Sequence, residues 1–182
     1  MLIDLGDENK FVPYGTNNEK NCLDLCKSIM KKYGLKEFGS PNNVFKLMYE
    51  NNGELKYYGN NIRENYKLAT QCIDRHLENG RPIIVGVNYE LNRKINEGAT
   101  DHFVVIYGKG FDESLNCFYY TYYEVGRSSI LNGYNNDLNR LIYVDSDEPL
   151  LYNPKSNLCS KKRYDVTQIR PNDSILDNTV KQ

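Results

Sequence analysis

The chain has no tryptophan, only two histidines, and an odd number of cysteines, five among 182 residues. Scarce histidine narrows the chemistry, because any reaction that needs an imidazole must use His76 or His102. An odd cysteine count leaves at least one thiol unpaired within the chain. Cys22 and Cys26 are four residues apart, with no further Cys or His close by to complete a compact zinc knuckle, so no metal and no cofactor is expected. No stretch approaches the ~18–20 continuous apolar residues of a membrane span. Charge of one sign is also lacking. With 23 Lys and Arg against 24 Asp and Glu the net charge is -1, without the basic excess that nucleic-acid or anionic-membrane binding needs. The opening MLIDLGDENK has no basic segment leading into an apolar core. This predicts a protein without a secretory signal, cytoplasmic or exported by a signal-independent system.

What is present is 40% hydrophobic residues, with 16 Tyr, 6 Phe and several Asn pairs. That suffices for one self-supporting domain over 1–182, with a loosely ordered tail over 171–182. The first twenty residues read as an extended arm that ends in the polar loop Gly15-Thr16-Asn17-Asn18. Periodicity predicts a helix over 21–33, with Cys22, Cys26, Ile29 and Tyr33 on one stripe and Gly34 as its stop. Ser40-Pro41 predicts the start of a second helix, running to Asn51-Asn52-Gly53. A third is predicted over 61–79, with Ile62, Tyr66, Ala69, Ile73 and Leu77 on its apolar face. The second half changes to strand patterns: 82–87, 102–107, 117–123, 141–144, 150–152 and 164–169. Helices followed by strands predict an α+β fold, N-terminal helices packed on a C-terminal antiparallel sheet.

Cys22 falls at the predicted start of the first helix, where unpaired N–H groups and the helix dipole stabilise a thiolate. The bland alternative is a small buried residue of an amphipathic helix, which is also the reading of Cys26. His102 opens the HFVVIY strand beside a polar loop, a place where an imidazole reaches a cleft. His76 stands in Asp74-Arg75-His76-Leu77-Glu78, a charged context that predicts a surface role. A turn centred on Glu113 would set Glu124 directly opposite His102, where it could orient the ring. Asp101 and Asp145 are the fallback carboxylates. Oxyanion donors would be the Cys22 N–H with an amide side chain from Asn17, Asn18 or Asn21.

The ordered set of segments resembles a known family. It comprises the helix start Cys22-Leu-Asp-Leu-Cys-Lys-Ser-Ile-Met-Lys-Lys-Tyr-Gly34, then Gly80-Arg-Pro-Ile-Ile-Val-Gly-Val87, then Asp101-His-Phe-Val-Val-Ile-Tyr-Gly108, then Glu124-Val-Gly126. Over roughly 14–145 the chain is similar to papain-like cysteine peptidases and amidases, closest to bacterial double-glycine (bacteriocin-leader) peptidase-like domains. The resemblance implies a papain-like domain with Cys22 as nucleophile, His102 as general base and acid, Glu124 in the place of the usual Asp or Asn, and Asn17 or Asn18 near the oxyanion. It departs from the pattern at Leu23, where the family often has Gly or Ala, and at Thr16-Asn17, where it usually has Gln. Small domains of this kind without a signal peptide resemble antibacterial effectors that cut peptidoglycan stem peptides, which implies an immunity or inhibitor protein as partner. Three other readings use the same residues or the same fold: a housekeeping peptidase, an acyltransferase, and a non-catalytic binding module with its Tyr-rich strands as contact surface.

Overall fold

A computed structural model describes residues 1–19, 21–35, 44–93, 99–158 and 161–172. Among the described residues ten strands are present: β1 Ile3–Asp4, β2 Phe45–Lys46, β3 Met48–Asn51, β4 Glu54–Tyr57, β5 Ile83–Asn88, β6 His102–Asp112, β7 Cys117–Tyr123, β8 Arg140–Val144, β9 Leu150–Asn153 and β10 Tyr164–Arg170. The α-helices that lie wholly within the described residues are α1 Cys22–Lys32, α2 Ile62–Glu78 and the single turn α3 Ile130–Gly133.

The strands decide the architecture. Neighbours run β6-β5-β10-β9-β8-β7, all antiparallel, and β7 returns to pair with β6. Six strands thus close into a barrel, which leaves none of them with a free edge. β1 extends β6, β2 extends β10, and β3–β4 form a separate hairpin. The expected papain-like α+β arrangement, helices stacked on an open sheet, is therefore incorrect: the body of the protein is an antiparallel β-barrel with extra strands and few helices.

Alternation along each strand explains both faces. On β6, Val104 and Ile106 point inward with Val85, Tyr122, Leu141, Leu151 and Val166 of the other strands, in one buried cluster. Tyr66, Ala69, Ile73 and Leu77 of α2 belong to the same cluster. The intervening Phe103 and Val105 point outward and meet Leu25, Cys26, Ile29 and Met30 of α1. Removing each such side chain from water contributes about 1.5–3 kcal/mol. This packing lays α1 along the outside of the barrel, with its N-terminal end beside the start of β6.

The second predicted helix is also wrong. Its described part forms β2, β3 and the turn into β4; residues 36–43, including Ser40-Pro41, lie outside the described residues. Asn52 and Gly53 both take positive φ, 52° and 78°, between the paired Asn51 and Glu54. Asn-Gly between two strands makes a two-residue hairpin turn whose left-handed residues match the strand twist. That Asn-Gly turns a hairpin here and does not stop a helix. Cys159 and the tail over 173–182 lie outside the described residues. Among the described residues no helix is long and apolar enough to cross a membrane.

Candidate active site

Asn21 caps α1, its side chain accepting the N–H of Leu23 at 3.0 Å. Cys22 is therefore the first helical residue, with its sulfur at the positive end of α1. Its thiol faces the imidazole of His102, and the backbone N–H groups of Phe103 and Leu23 lie toward the sulfur, the Leu23 N–H being bonded to Asn21. Burial opposes ionisation of this thiol. The His102 hydrogen bond and charge, with the two N–H donors, outweigh that and hold the Cys22 pKa below the ordinary thiol value. Cys26, one turn on, moves the other way: complete burial, with the negative charges of Cys22 and Glu124, pushes its thiol well up. Burial also pushes up Cys117.

His102 is nearly covered, at 6% exposure, and Glu124 is at 0%. The two join through His102 Nε2 and Glu124 Oε1 at 2.7 Å. That leaves Nδ1 as the ring nitrogen for the thiol. Burial alone would lower the His102 pKa, but the Glu124 charge and the hydrogen bonds to Cys22 and Glu124 push it up to about 10. Glu124 is itself held at both oxygens: Oε1 accepts the Gly126 N–H at 2.9 Å, and Oε2 accepts the Tyr164 hydroxyl at 2.9 Å. A buried carboxylate persists as an anion only when it is paired and hydrogen-bonded in this way. Together the three side chains place a thiol whose ionisation is favoured beside an imidazole backed by a fixed carboxylate, the arrangement that nucleophilic catalysis by a thiol requires.

No family model, curated protein or solved structure matches the chain. The geometry of the site is what bears on its chemistry.

Glu124 reaches His102 by a different register from the expected one. Val105 pairs with Tyr123 and Ile106 with Tyr122, while Gly108 pairs with Thr121, across a β-bulge. Continuing that ladder sets Glu124 beside Val104, so His102 and Glu124 are diagonal neighbours on the inward face, within reach of long side chains. The fallback carboxylates do other work. Asp101 accepts the N–H groups of Tyr89 and Glu90 at 2.9 and 2.8 Å, and Asp145 pairs with Arg63 at 3.2 Å on the surface. His76 is not on the surface: it is 4% exposed, with Nδ1 against the Cys72 carbonyl at 2.8 Å and Nε2 accepting the Asn172 N–H at 3.4 Å. It shares the buried stripe of α2 with Ile73, three residues before it, a spacing its charged neighbours masked.

The oxyanion donors are less complete. Asn17 and Asn18 lie in a 3-10 turn, Thr16–Asn18, just upstream of Cys22. Asn18 is exposed, with φ 63°, and the side chain of Asn17 lies outside the described residues. Asn21 is spent on the cap. Leu23 N–H already serves Asn21, whereas the Cys22 N–H has no hydrogen-bond acceptor among the described residues. Three surface cavities, of about 200, 330 and 380 Å³, are lined by residues other than Cys22 and His102. The second shares Thr16 and Glu19 with the loop before Cys22 and runs along α1 to Ser28 and Lys32. That loop is stitched to the one after Glu124 by the Tyr14 N–H donating to the Arg127 carbonyl at 3.0 Å.

Sequence reasoning missed Tyr164 and the structural role of Gly126. A Cβ on Gly126 would lie 2.6 Å from Leu158 Cδ1 and 3.0 Å from Glu124 Oε1. Gly126→Ala is expected to destabilise the protein by about 1–3 kcal/mol through overpacking, read as a lowered denaturant midpoint. A midpoint equal to the wild type would contradict this close packing.

Proposed function

We propose that this protein is a cysteine hydrolase that cleaves amide bonds. The observation that carries the reading is the Cys22 thiol at a helix N-terminus, against an imidazole whose Nε2 is bonded at 2.7 Å to a fully buried Glu124. The Cys22 thiolate attacks the amide carbon and forms the C–S bond, and the carbonyl π electrons move to oxygen beside the Cys22 N–H. Collapse re-forms the carbonyl and breaks the C–N bond, with the His102 proton passing to the leaving amine. Neutral His102 then takes a proton from water, whose oxygen attacks the thioester and releases the acid, and the resting pair is restored. Glu124 keeps the ring oriented and stabilises its cationic form.

Peptidoglycan stem peptides are the substrate proposed, with a protein inhibitor as partner, and a general peptidase role is the competing one. Incubating the protein with purified sacculi, and in parallel with an unrelated peptide, should release new amino groups from one of them. Release from neither, by protein whose Cys22 is intact, would count against hydrolysis. Tyr120, Tyr122 and Tyr123 of the Tyr-rich strand are each at 1% exposure or less, so a contact surface built on that strand would have to use its outer end, where Phe118 is 41% exposed.

A further inference from the structure

We propose that Tyr164 is a positioning residue of this site: by holding Glu124 Oε2, its hydroxyl fixes Glu124 Oε1 on His102 Nε2 and so keeps the imidazole directed at Cys22. The inference rests on the hydrolase reading and adds to it a residue that no motif marks.

A glutamate has three rotatable side-chain bonds, and a carboxylate held at one oxygen can swing about that contact. Glu124 Oε1 serves two donors, His102 Nε2 at 2.7 Å and the Gly126 N–H at 2.9 Å. Among the described residues, Oε2 has one hydrogen-bond donor, the Tyr164 hydroxyl at 2.9 Å. Tyr164 stands on a strand that pairs with neither β6 nor β7. It opens β10, pairs with Asn153 of β9, and is 0% exposed. Its ring lies 5.9 Å from that of His102, 6.0 Å from Tyr89 and 6.3 Å from Tyr122. The donor therefore comes from a third strand of the barrel and is immobilised by packing, the support a preorganised site needs. Burial and the Glu124 charge push the Tyr164 pKa well up, so it remains a donor throughout the working range. A buried tyrosine hydroxyl needs an acceptor in any protein. A purely structural role is the competing account, and the readout must separate the two.

That readout is the rate of Cys22 alkylation by iodoacetamide against pH, followed by mass spectrometry, which needs no substrate. Thiolate–imidazolium pairs titrate in two coupled steps. In Tyr164→Phe, which deletes one oxygen, the two steps are expected to move toward each other by at least about half a pH unit, as a loosened carboxylate supports the imidazolium less. In a Glu124→Gln background the same substitution should change nothing further, because Tyr164 acts through Glu124. 4-Aminophenylalanine at position 164, which keeps an N–H donor at the same reach, should restore the wild-type steps. Unchanged steps in Tyr164→Phe, or an equal shift in the Glu124→Gln background, would overturn the positioning role alone. A wild-type Cys22 that alkylates no faster than Cys117 would overturn the hydrolase reading and this inference with it. If Tyr164→Phe does not fold, the aminophenylalanine protein carries the test: wild-type steps support the role and shifted steps overturn it.

Discussion

Cys22→Ala is expected to reduce amide hydrolysis to background, a loss on the order of 10⁴-fold or more, since residues of a nucleophile–base pair act as a unit. The methyl group is the former Cβ; the position of the sulfur is left empty, and no electron pair faces the carbonyl carbon. Cys22→Ser should be nearly as inactive. The environment that favours a thiolate, the His102 charge and the N–H groups of Phe103 and Leu23, is too weak to ionise an alcohol. Folding should survive both changes, because Cys22 is only half-buried and the packing of α1 rests on Leu25, Cys26, Ile29 and Met30. Hydrolysis rates beside thermal melts check this. A folded Cys22→Ala protein that retains a tenth of the activity would place the nucleophile elsewhere.

The second large effect is expected at Glu124. Its charge is the leading cause holding His102 up at about 10 against burial, so the alkaline limit of activity should lie near pH 10 in the wild type. Glu124→Gln keeps the shape and removes the charge. The alkaline limit should then fall toward the ordinary histidine value of ~6.5, with a loss on the order of 10²-fold at neutral pH. Stability follows with a defined sign. A His102 pKa raised in the folded state contributes stability that is complete below ~6.5 and is lost as pH rises through about 10. Denaturant midpoints of the wild type should therefore fall between neutral pH and about 10 more steeply than those of Glu124→Gln. Glu124→Ala is the harsher change. It strands the buried imidazolium, the Gly126 N–H and the Tyr164 hydroxyl, and should cost about 3–5 kcal/mol. Parallel midpoints for the wild type and Glu124→Gln across that pH range would show that the pair contributes nothing to His102.

How much of this was legible in the sequence depends on the range over which each cause acts. The helices at 21–33 and 61–79 were visible because period, cap and terminating glycine all lie within one segment, as do the strands from 82 onward. The segment around Val44 to Gly53 went wrong because its apolar residues suit either period, and its Asn-Gly can stop a helix or turn a hairpin. The charged neighbours of His76 point to a surface, whereas its position on the buried stripe of α2 governs where it lies. The His102–Glu124 contact was inferred from a straight ladder, whereas the ladder carries a bulge and the contact is diagonal.

The chain by itself determined which side chains could do the chemistry, since one cysteine opens a helix and one of only two histidines opens a strand beside a polar loop. Closure of the strands into a barrel, the charge state of His102 and the recruitment of Tyr164 were decided in three dimensions. Each depends on contacts between residues 22 to 86 positions apart in the chain, among them Cys22 with His102, Glu124 with Tyr164 and β5 with β10, and no periodicity or capping signal reaches that far.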